Sequence, residues 1–378
     1  MKTNRPATGI DRFWHDREPC LSANSHTALF HLPFSATFME IRKLNSLRGI
    51  AALIVLVSHY SNESGLLGKA LGSGGGQFGV MLFFLLSAFL ISYLYLHQQP
   101  RRPQLTAYFR ARAGRVLPLF LFTVLACWGA RQVLPPPFRD MAFDVSSGPL
   151  LASHLLLFFG SNVLWTIPPE IHFYVFFGLI WPVWRMAPRA VGMAMLAGAA
   201  MALALGKGQE FSTTLFGLPL TINDVKAFPY FVTGLLLGQL YRHWRPPAAR
   251  QHALYVLSLA VLPLLYPMIF ESITGLKHAM WGDPLILLAV GGVFFLTVFM
   301  VPAGNYLLEN PIGDFLGKVS YSAYLLHYPL LLVLKEFGLA RGISGLALFL
   351  LLTALLSETS FRLLEAPMRR LIRGPGRA

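Results

Sequence analysis

Residues 80–96 read VMLFFLLSAFLISYLYL, a run in which no side chain carries a charge. A helix needs about 20 mostly apolar residues to cross the hydrocarbon core of a bilayer. With its flanking residues this run reaches that length, and Leu285–Val301 and Leu346–Leu356 are apolar runs of the same kind. The sequence therefore predicts several helices that cross a membrane.

The composition of the chain is that of a membrane protein. Of its 378 residues, 55% are hydrophobic and only 13% are charged, whereas a soluble domain carries about a quarter charged residues. The formal net charge of +14 would suggest nucleic acid as a partner of a soluble protein. Here Lys and Arg lie in short loops between apolar runs, and no basic stretch is interleaved with exposed aromatic residues. We therefore expect a lipid bilayer as a partner and no nucleic acid.

The apolar runs predict an all-α integral membrane protein, a bundle of about ten transmembrane helices. The predicted helices lie near 46–63, 78–97, 113–131, 169–186, 189–205, 226–242, 251–270, 284–302, 316–336 and 343–365. Two further apolar pieces, Leu150–Phe159 and Phe211–Leu220, are too short to span and are expected to be interfacial or re-entrant.

The distribution of positive charge predicts the orientation of the bundle. If successive predicted helices cross the membrane in opposite directions, 23 of the 31 Lys and Arg residues fall on the side of the N-terminus. Positively charged loops stay in the cytosol, so both termini are expected to be cytosolic. The expected location is the cell inner membrane, with multiple passes.

The two ends of the chain differ in character from its middle. Residues 1–38 contain Pro, His, Ser and mixed charges without the apolar core of a signal peptide. They are expected to be a disordered cytosolic leader, or a start-site artefact if translation begins at Met39. Residues 39–378 then form the transmembrane domain. Because the chain ends shortly after Glu365, we expect no soluble domain beyond the last helix.

The first predicted helix carries two ionisable residues on one face. Arg48 and His59 are separated by eleven positions, which returns to nearly the same face at about 100° per residue, with a rise of about 16 Å. An ionisable side chain at membrane depth is expected to face the bundle interior or a water-filled cavity. His59 is therefore a candidate catalytic residue; the alternative is a structural histidine near the outer interface.

The fourth predicted helix opens with two prolines and an acid. Pro168 and Pro169 suit the first turn of a helix, and the helix dipole favours Glu170 directly after them. A carboxylate in this position can hold an imidazole in one tautomer, as the third member of a catalytic triad does. The alternative is charge compensation at the helix N-terminus.

Three arginines crowd the connection before the third predicted helix. Arg110, Arg112 and Arg115 precede an apolar run, and the last two share a face at i, i+3. Guanidinium groups bind phosphates through paired hydrogen bonds, which suits an anionic nucleotide. Membrane orientation and lipid headgroups call for the same residues, so that alternative stays open.

A polar stripe is predicted on the ninth helix. Ser320, Tyr324 and His327 are spaced to share one face. They line a tunnel or bond to neighbouring helices, and spacing alone does not decide between the two. The two cysteines, Cys20 and Cys127, are placed where neither a disulfide nor a metal-ligand spacing is expected.

These segments together resemble the acyltransferase 3 family of multipass membrane acyltransferases, which includes O-acetyltransferases of bacterial surface polysaccharides. The resemblance is carried, in the family's order, by Leu44–Ala52 with His59, by Phe83–Ile91, Arg110–Pro118, Trp165–Tyr174 and Val319–Pro329, and by the ending Phe361–Arg370.

The chain departs from the family's pattern at several positions. Ala88 stands where glycine is usual. After Glu170 the family commonly has a second acidic residue and then glutamine, whereas this chain has Ile171 and His172. Two prolines also replace the usual residues before Glu170.

The resemblance implies an O-acyltransferase that uses cytosolic acyl-CoA, with acetyl-CoA the expected co-substrate, and no metal. The acceptor it implies is a hydroxyl of a cell-surface glycan or glycolipid precursor. On this interpretation Arg110, Arg112 and Arg115 hold the nucleotide, and Ser320, Tyr324 and His327 are further candidates for binding the acyl donor.

The same interpretation gives three candidates for catalysis. The pantetheine arm passes Arg48, and His59, oriented by Glu170, acts as general base or takes the acyl group itself. A transporter or flippase of a glycan-type substrate is the alternative, because intramembrane polar residues also mark substrate paths. The sequence does not predict an oligomeric state.

Overall fold

The computed structural model describes residues 41–135, 139, 143–205, 211–244 and 252–374. Contacts between residues define one compact unit from Ile41 to Arg377. The expected leader, residues 1–38, lies outside the described residues.

This unit is built almost entirely from helices. Fourteen α-helices are described: α1 Lys43–Ser64, α2 Gly76–Tyr95, α3 Arg102–Val133, α4 Gly148–Leu155, α5 Ile167–Met186, α6 Pro188–Leu205, α7 Asp224–His243, α8 His252–Leu257, α9 Val261–Leu264, α10 Pro267–Thr274, α11 Pro284–Phe295, α12 Pro311–Glu336, α13 Gly342–Ser360 and α14 Ala366–Arg373. Two π-helical turns, Leu296–Met300 and Phe361–Glu365, extend α11 and join α13 to α14.

Five helical segments of the described residues are long and apolar enough to cross a membrane, or six if one bent pair counts as a single span. This agrees with an all-α membrane protein, while the number of ten and the side on which the termini lie stay predictions. Helices α1, α7 and α12 have spanning length, with 22, 20 and 26 residues. They are more polar, and α1 and α12 carry the side chains of the candidate site.

The helix predicted near 251–270 is wrong as a continuous element. The chain bends by 87° between Tyr255–Leu264 and Pro267–Thr274. Proline weakens a helix at its position, because it lacks the backbone N–H and disfavours helical geometry in the residue before it. Tyr266, directly before Pro267, has φ −61° and ψ 135°, an extended conformation.

The third predicted helix begins earlier than expected. Helix α3 starts at Arg102, so the arginine-rich segment around Arg110 is helical rather than a connection before the helix. Pro103 occupies the first turn, where a missing N–H does no harm. The arginine side chains are therefore fixed in direction by a helix.

A short hairpin follows α6 and is the only pair of strands in the described part of the chain. Strand β1, Phe211–Leu215, pairs antiparallel with β2, Leu218–Ile222. The two residues of the turn both have positive φ, 51° at Phe216 and 77° at Gly217, as a two-residue hairpin turn of type I′ requires. The backbone N–H of Thr221 donates to the carbonyl of Phe158 at 2.9 Å, which brings together the two segments predicted to be too short to span.

Helix α1 packs against both α2 and α12 at the centre of the unit. Small residues permit the close approach, as is usual between membrane helices. A Cβ atom on Gly79 of α2 would overlap the carbonyl oxygen of Ala51, and one on Gly317 of α12 would lie 2.5–2.6 Å from atoms of Asn45. The three helices are thereby held in a fixed register, which positions the polar residues of α1.

Candidate functional site

A cavity lies among the central helices. Charged and polar side chains enter it from six elements. They are Arg48 from α1, Ser87 from α2, Arg115 from α3, Thr166 from the segment before α5, Glu170 from α5, and Ser320, Tyr321 and Tyr324 from α12. Apolar residues, mostly of α2 and including Phe83 and Phe84, form the rest of the wall. We call this space the arginine cavity.

Glu170 is held in the arginine cavity by two hydroxyl groups. Ser87 Oγ donates to Glu170 Oε1 at 2.8 Å, and the hydroxyl of Tyr174 donates to the same oxygen. The charges of Glu170 and of Arg115 both act on Arg48. Three residues that the sequence assigned to separate roles, Arg48, Arg115 and Glu170, thus share one cavity.

A second cavity lies toward the other end of α1. It is lined by His59 together with Ser58 and Asn62 of the same helix, by Gln77 of α2, and by Asn162 and Trp165 of the segment before α5. Amide, hydroxyl, imidazole and indole groups therefore surround it. We call this space the histidine cavity.

The two cavities adjoin at two residues. Val80 and Tyr324 line both of them. The hydroxyl of Tyr324 donates to the carbonyl of Val163 at 2.8 Å and accepts from Thr166 Oγ1 at 3.1 Å, so its ring is anchored at the boundary. Along α1 the order is Arg48, then Tyr324 and Val80 across from it, then His59.

His59 has aromatic neighbours rather than a hydrogen-bonded carboxylate. Its ring centroid lies 5.2 Å from that of His327 and 5.3 Å from that of Tyr328. In the described part of the chain no hydrogen bond joins His59 to Glu170, whose oxygen bonds to Ser87 and Tyr174 instead. The structure therefore does not bring Glu170 to the imidazole that it was expected to orient.

The nearby acid is Glu63, which the sequence analysis missed. It follows His59 by four positions, and its charge acts on the imidazole. Glu63 Oε2 accepts from Lys335 Nζ at 2.6 Å, and Oε1 lies 3.5 Å from the hydroxyl of Tyr328. The i, i+4 spacing on an already suspected helix face was the signal available in the sequence.

His327 is buried with a defined tautomer. Its Nδ1 lies 2.8 Å from the carbonyl of Tyr324 and 3.1 Å from that of Ala323. Both partners are acceptors, so Nδ1 carries the proton and Nε2 is an acceptor. In the described structure Nε2 is buried without a hydrogen-bond partner. This leaves a hydrogen-bond acceptor without a partner on a ring whose centroid lies 5.2 Å from that of His59.

The other predicted residues divide between the arginine cavity and the neighbouring helix α14. Ser320 lines the cavity and donates to the carbonyl of Gly317 at 2.9 Å. Arg112 lies over the ring of Tyr174, with 5.8 Å from Cζ to the ring centroid. Arg110 is exposed, and its Nε donates to the carbonyl of Ile372 in α14 at 2.6 Å. Arg110 therefore lies outside both cavities.

The positions that depart from the family pattern are not among the residues that line the two cavities. His172 is partly exposed, and its Nδ1 lies 2.9 Å from Asp224 Oδ1. Pro168 and Pro169 are buried in the first turn of α5, directly before Glu170. The described residues contain no group of three or more His, Cys, Asp or Glu that could hold a metal ion; that the protein uses no metal stays a prediction.

Comparison with known proteins agrees with the family resemblance of the sequence. The acyltransferase domain model of the acyltransferase 3 family matches residues 41–357. The chain is 23% identical over 361 residues to the O-acetyltransferase OatA of Staphylococcus aureus strain NCTC 8325, covering 86% of this chain and 57% of that protein. It is 24% identical over 371 residues to the peptidoglycan O-acetyltransferase OatA of Listeria monocytogenes serovar 1/2a, covering 87% and 56%.

The chain thus spans a little over half the length of these curated relatives. No solved structure matches it.

Proposed function

The chain belongs to the acyltransferase 3 family, as its resemblance indicated, and from this premise we propose that it is an O-acyltransferase of the cell membrane. The proposed reaction moves an acetyl group from acetyl-CoA, supplied from the cytosol, to a hydroxyl of a surface glycan or its lipid-linked precursor. The observation that carries the proposal is the pair of adjoining cavities, one lined by guanidinium groups and the other by an imidazole.

The arginine cavity suits the acyl donor. Arg48 and Arg115 line it, and α3 supplies Arg112 nearby. Guanidinium groups pair with phosphates and remain charged at any pH relevant to a cell. The apolar wall of Phe83 and Phe84 suits the uncharged pantetheine arm. A donor whose nucleotide lies near Arg112 and Arg115 then points its thioester toward Tyr324.

The histidine cavity suits a sugar-like acceptor. Asn62, Gln77 and Asn162 present amide groups, and Ser58 presents a hydroxyl. Groups of this kind exchange hydrogen bonds with hydroxyls. The names of the relatives, O-acetyltransferase and peptidoglycan O-acetyltransferase, support a glycan as the class of acceptor.

His59 is the proposed catalytic residue. As general base it takes the proton of the acceptor hydroxyl while the oxygen attacks the thioester carbonyl; the C–S bond then breaks, and the imidazolium returns the proton to the departing thiolate. As nucleophile the imidazole instead attacks the carbonyl and forms an acyl-imidazole, and its ring proton leaves with the thiol. The acceptor oxygen then takes the acyl group, and the hydroxyl proton returns to the imidazole. In either route the negative charge of Glu63 stabilises a positively charged imidazole, and the charge of Glu170 acts on Arg48 and Arg112.

The experiment uses purified protein with labelled acetyl-CoA and candidate glycans. His59→Ala should lower acetyl transfer at least a hundredfold, because a positioned base contributes about 10²–10⁴-fold. His243→Ala, which removes an exposed histidine at the end of α7, is the matched control and should keep wild-type activity. Transfer above a hundredth of wild type in His59→Ala would count against the proposal. Vectorial movement of a glycan in proteoliposomes without thioester consumption would support the transporter alternative.

A further inference from the structure

Helix α14 packs directly onto the arginine-rich part of α3. A Cβ atom on Gly114 would lie 3.3 Å from Ile372 Cβ and 3.6 Å from Arg369 Cα. Arg110 Nε also donates to the carbonyl of Ile372 at 2.6 Å. The glycine permits this close contact between the two helices, and the hydrogen bond fixes where α14 lies on α3. This point lies between Arg112 and Arg115.

The contact adds two guanidinium groups to those of α3. Arg369 and Arg373 are four positions apart on α14 and so share a face. The charges of Arg115 and Arg112 both act on Arg369, and they also act on Arg373. The charge of Arg115 in turn acts on Arg48 in the arginine cavity. The arginines from α14 to the cavity therefore act on one another electrostatically.

This arginine cluster, Arg112, Arg115, Arg369 and Arg373, is incompletely neutralised by the described residues. Glu365 is buried, accepts a hydrogen bond from Ser322 Oγ and lies 3.7 Å from Arg369. Glu170 is the other acid whose charge reaches Arg112. Two carboxylates thus face four guanidinium groups, or five with Arg48. Like charges so close together favour binding of an anion.

Two buried nitrogens of the cluster lack partners. The Nε atoms of Arg112 and Arg369 are inaccessible to solvent, and in the described structure neither has a hydrogen-bond acceptor. A buried N–H of a charged group is normally hydrogen bonded. Phosphate oxygens supply several acceptors and negative charge together, and they match the fork of a guanidinium group. The cluster is therefore built for a phosphorylated ligand rather than a single carboxylate.

We propose that Arg369 and Arg373 bind the phosphate groups of the acyl donor's nucleotide together with Arg112 and Arg115, so that α14 completes the donor site. This rests on the proposed function. The family model matches residues 41–357, and the resemblance of the ending Phe361–Arg370 gives its arginines no role, so the assignment comes from the packing of α14 on α3. The 3′-phosphate and diphosphate of a coenzyme A thioester offer the required number of anionic groups.

The test is equilibrium binding of coenzyme A and of adenosine 3′,5′-bisphosphate to the full chain in lipid nanodiscs. The variant is Arg369→Gln with Arg373→Gln, and the control is Arg370→Gln, the exposed neighbour on another face of α14. The double variant should weaken binding of both probes at least tenfold, while the control stays within twofold of wild type. Arg369→Lys should be intermediate, because lysine keeps the charge without the fork.

Two outcomes overturn the inference while leaving the proposed function intact. One is a wild-type protein that binds coenzyme A and a folded double variant that binds it equally well. The other is an effect of the double variant that appears only in nanodiscs containing phosphatidylglycerol and vanishes in phosphatidylcholine alone, which would make the cluster a lipid headgroup site. If the double variant unfolds, Arg373→Gln alone is used instead. We expect this single variant to weaken binding at least threefold. A wild-type protein that binds neither probe would defeat the proposed function itself.

Discussion

At the scale of single residues, Tyr324 allows the ring and the hydroxyl to be tested separately. Tyr324→Phe removes two hydrogen bonds and keeps the ring between the cavities, so we expect activity to fall less than tenfold. Tyr324→Ala removes the ring, and water from the histidine cavity then reaches the thioester. We expect hydrolysis of acetyl-CoA to rise relative to acetyl transfer. Thiol release measured with and without acceptor checks this, and equal ratios in both variants would contradict it.

A second residue-scale prediction concerns Asp314, which precedes the predicted membrane segment of α12. A hydrogen bond from Arg42, with Nε at 3.2 Å, lowers the pKa of the Asp314 carboxyl below its ordinary value. The ionised carboxylate therefore stabilises the fold above its unfolded pKa of about 3.9. This contribution is lost as the pH falls through the folded pKa.

Asp314→Asn should lower the melting temperature at pH 5–7 by an amount equivalent to about 1 kcal/mol or less, since the pair is exposed. The difference from wild type should shrink below pH 4. Thermal unfolding in detergent across this range measures it, with the exposed Glu336→Gln as control. A difference that stays constant down to pH 3 would show that Asp314 does not act through its charge.

The residues of the site could be predicted in part. His59, Arg48 and Glu170 stood out because an ionisable group among apolar residues is conspicuous, and Ser320 and Tyr324 because of helical spacing. Their partners were harder to find. Ser87 is an ordinary small residue in an apolar run, and its bond to Glu170 joins helices 83 positions apart in the chain. Tertiary packing alone decides such contacts.

At the scale of helices, the α1–α12 contact makes a prediction about Gly317. An alanine there would place its Cβ 2.5–2.6 Å from atoms of Asn45, so one helix must move away. Overpacking of this kind costs about 1–3 kcal/mol. Because α1 carries His59 and α12 carries Tyr324, we expect Gly317→Ala to lower both the melting temperature and the transfer rate.

The matched control for this change is Gly129→Ala in α3, where a Cβ meets nothing within 4 Å. It should leave both quantities unchanged. Wild-type activity in Gly317→Ala would mean that the spacing of α1 and α12 does not control the site.

Helix existence was easier to predict than helix shape. Long apolar runs located α2, α5, α6 and α7 within a few residues. The bend at Pro267 and the early start of α3 were missed, because hydropathy averages over a window and is blind to a single proline or to a polar first turn. The hairpin at Phe211–Ile222 was missed for a related reason. In an apolar segment this short, the spacing of the apolar residues does not distinguish a strand from a helix.

At the scale of the whole molecule, the orientation in the membrane is the main untested prediction. In a cysteine-free background, Arg101→Cys between α2 and α3 should be labelled by an impermeant maleimide only after cells are opened. Lys69→Cys between α1 and α2 should be labelled in intact cells. Both positions are exposed in the structure, so accessibility does not limit labelling. The reverse pattern would place the arginine cavity on the outer side and overturn a cytosolic acyl donor.

The arrangement of the two cavities also bears on the cell's energy supply. If each cavity is open to its own side of the bilayer, only the aromatic ring of Tyr324 and the methyl groups of Val80 separate the water on the two sides at this point. A membrane that maintains a proton gradient loses it if a continuous chain of water molecules crosses the bilayer. Selection at these two positions then acts on proton leakage as well as on acetyl transfer, and a variant with ample activity could still slow growth by discharging the membrane.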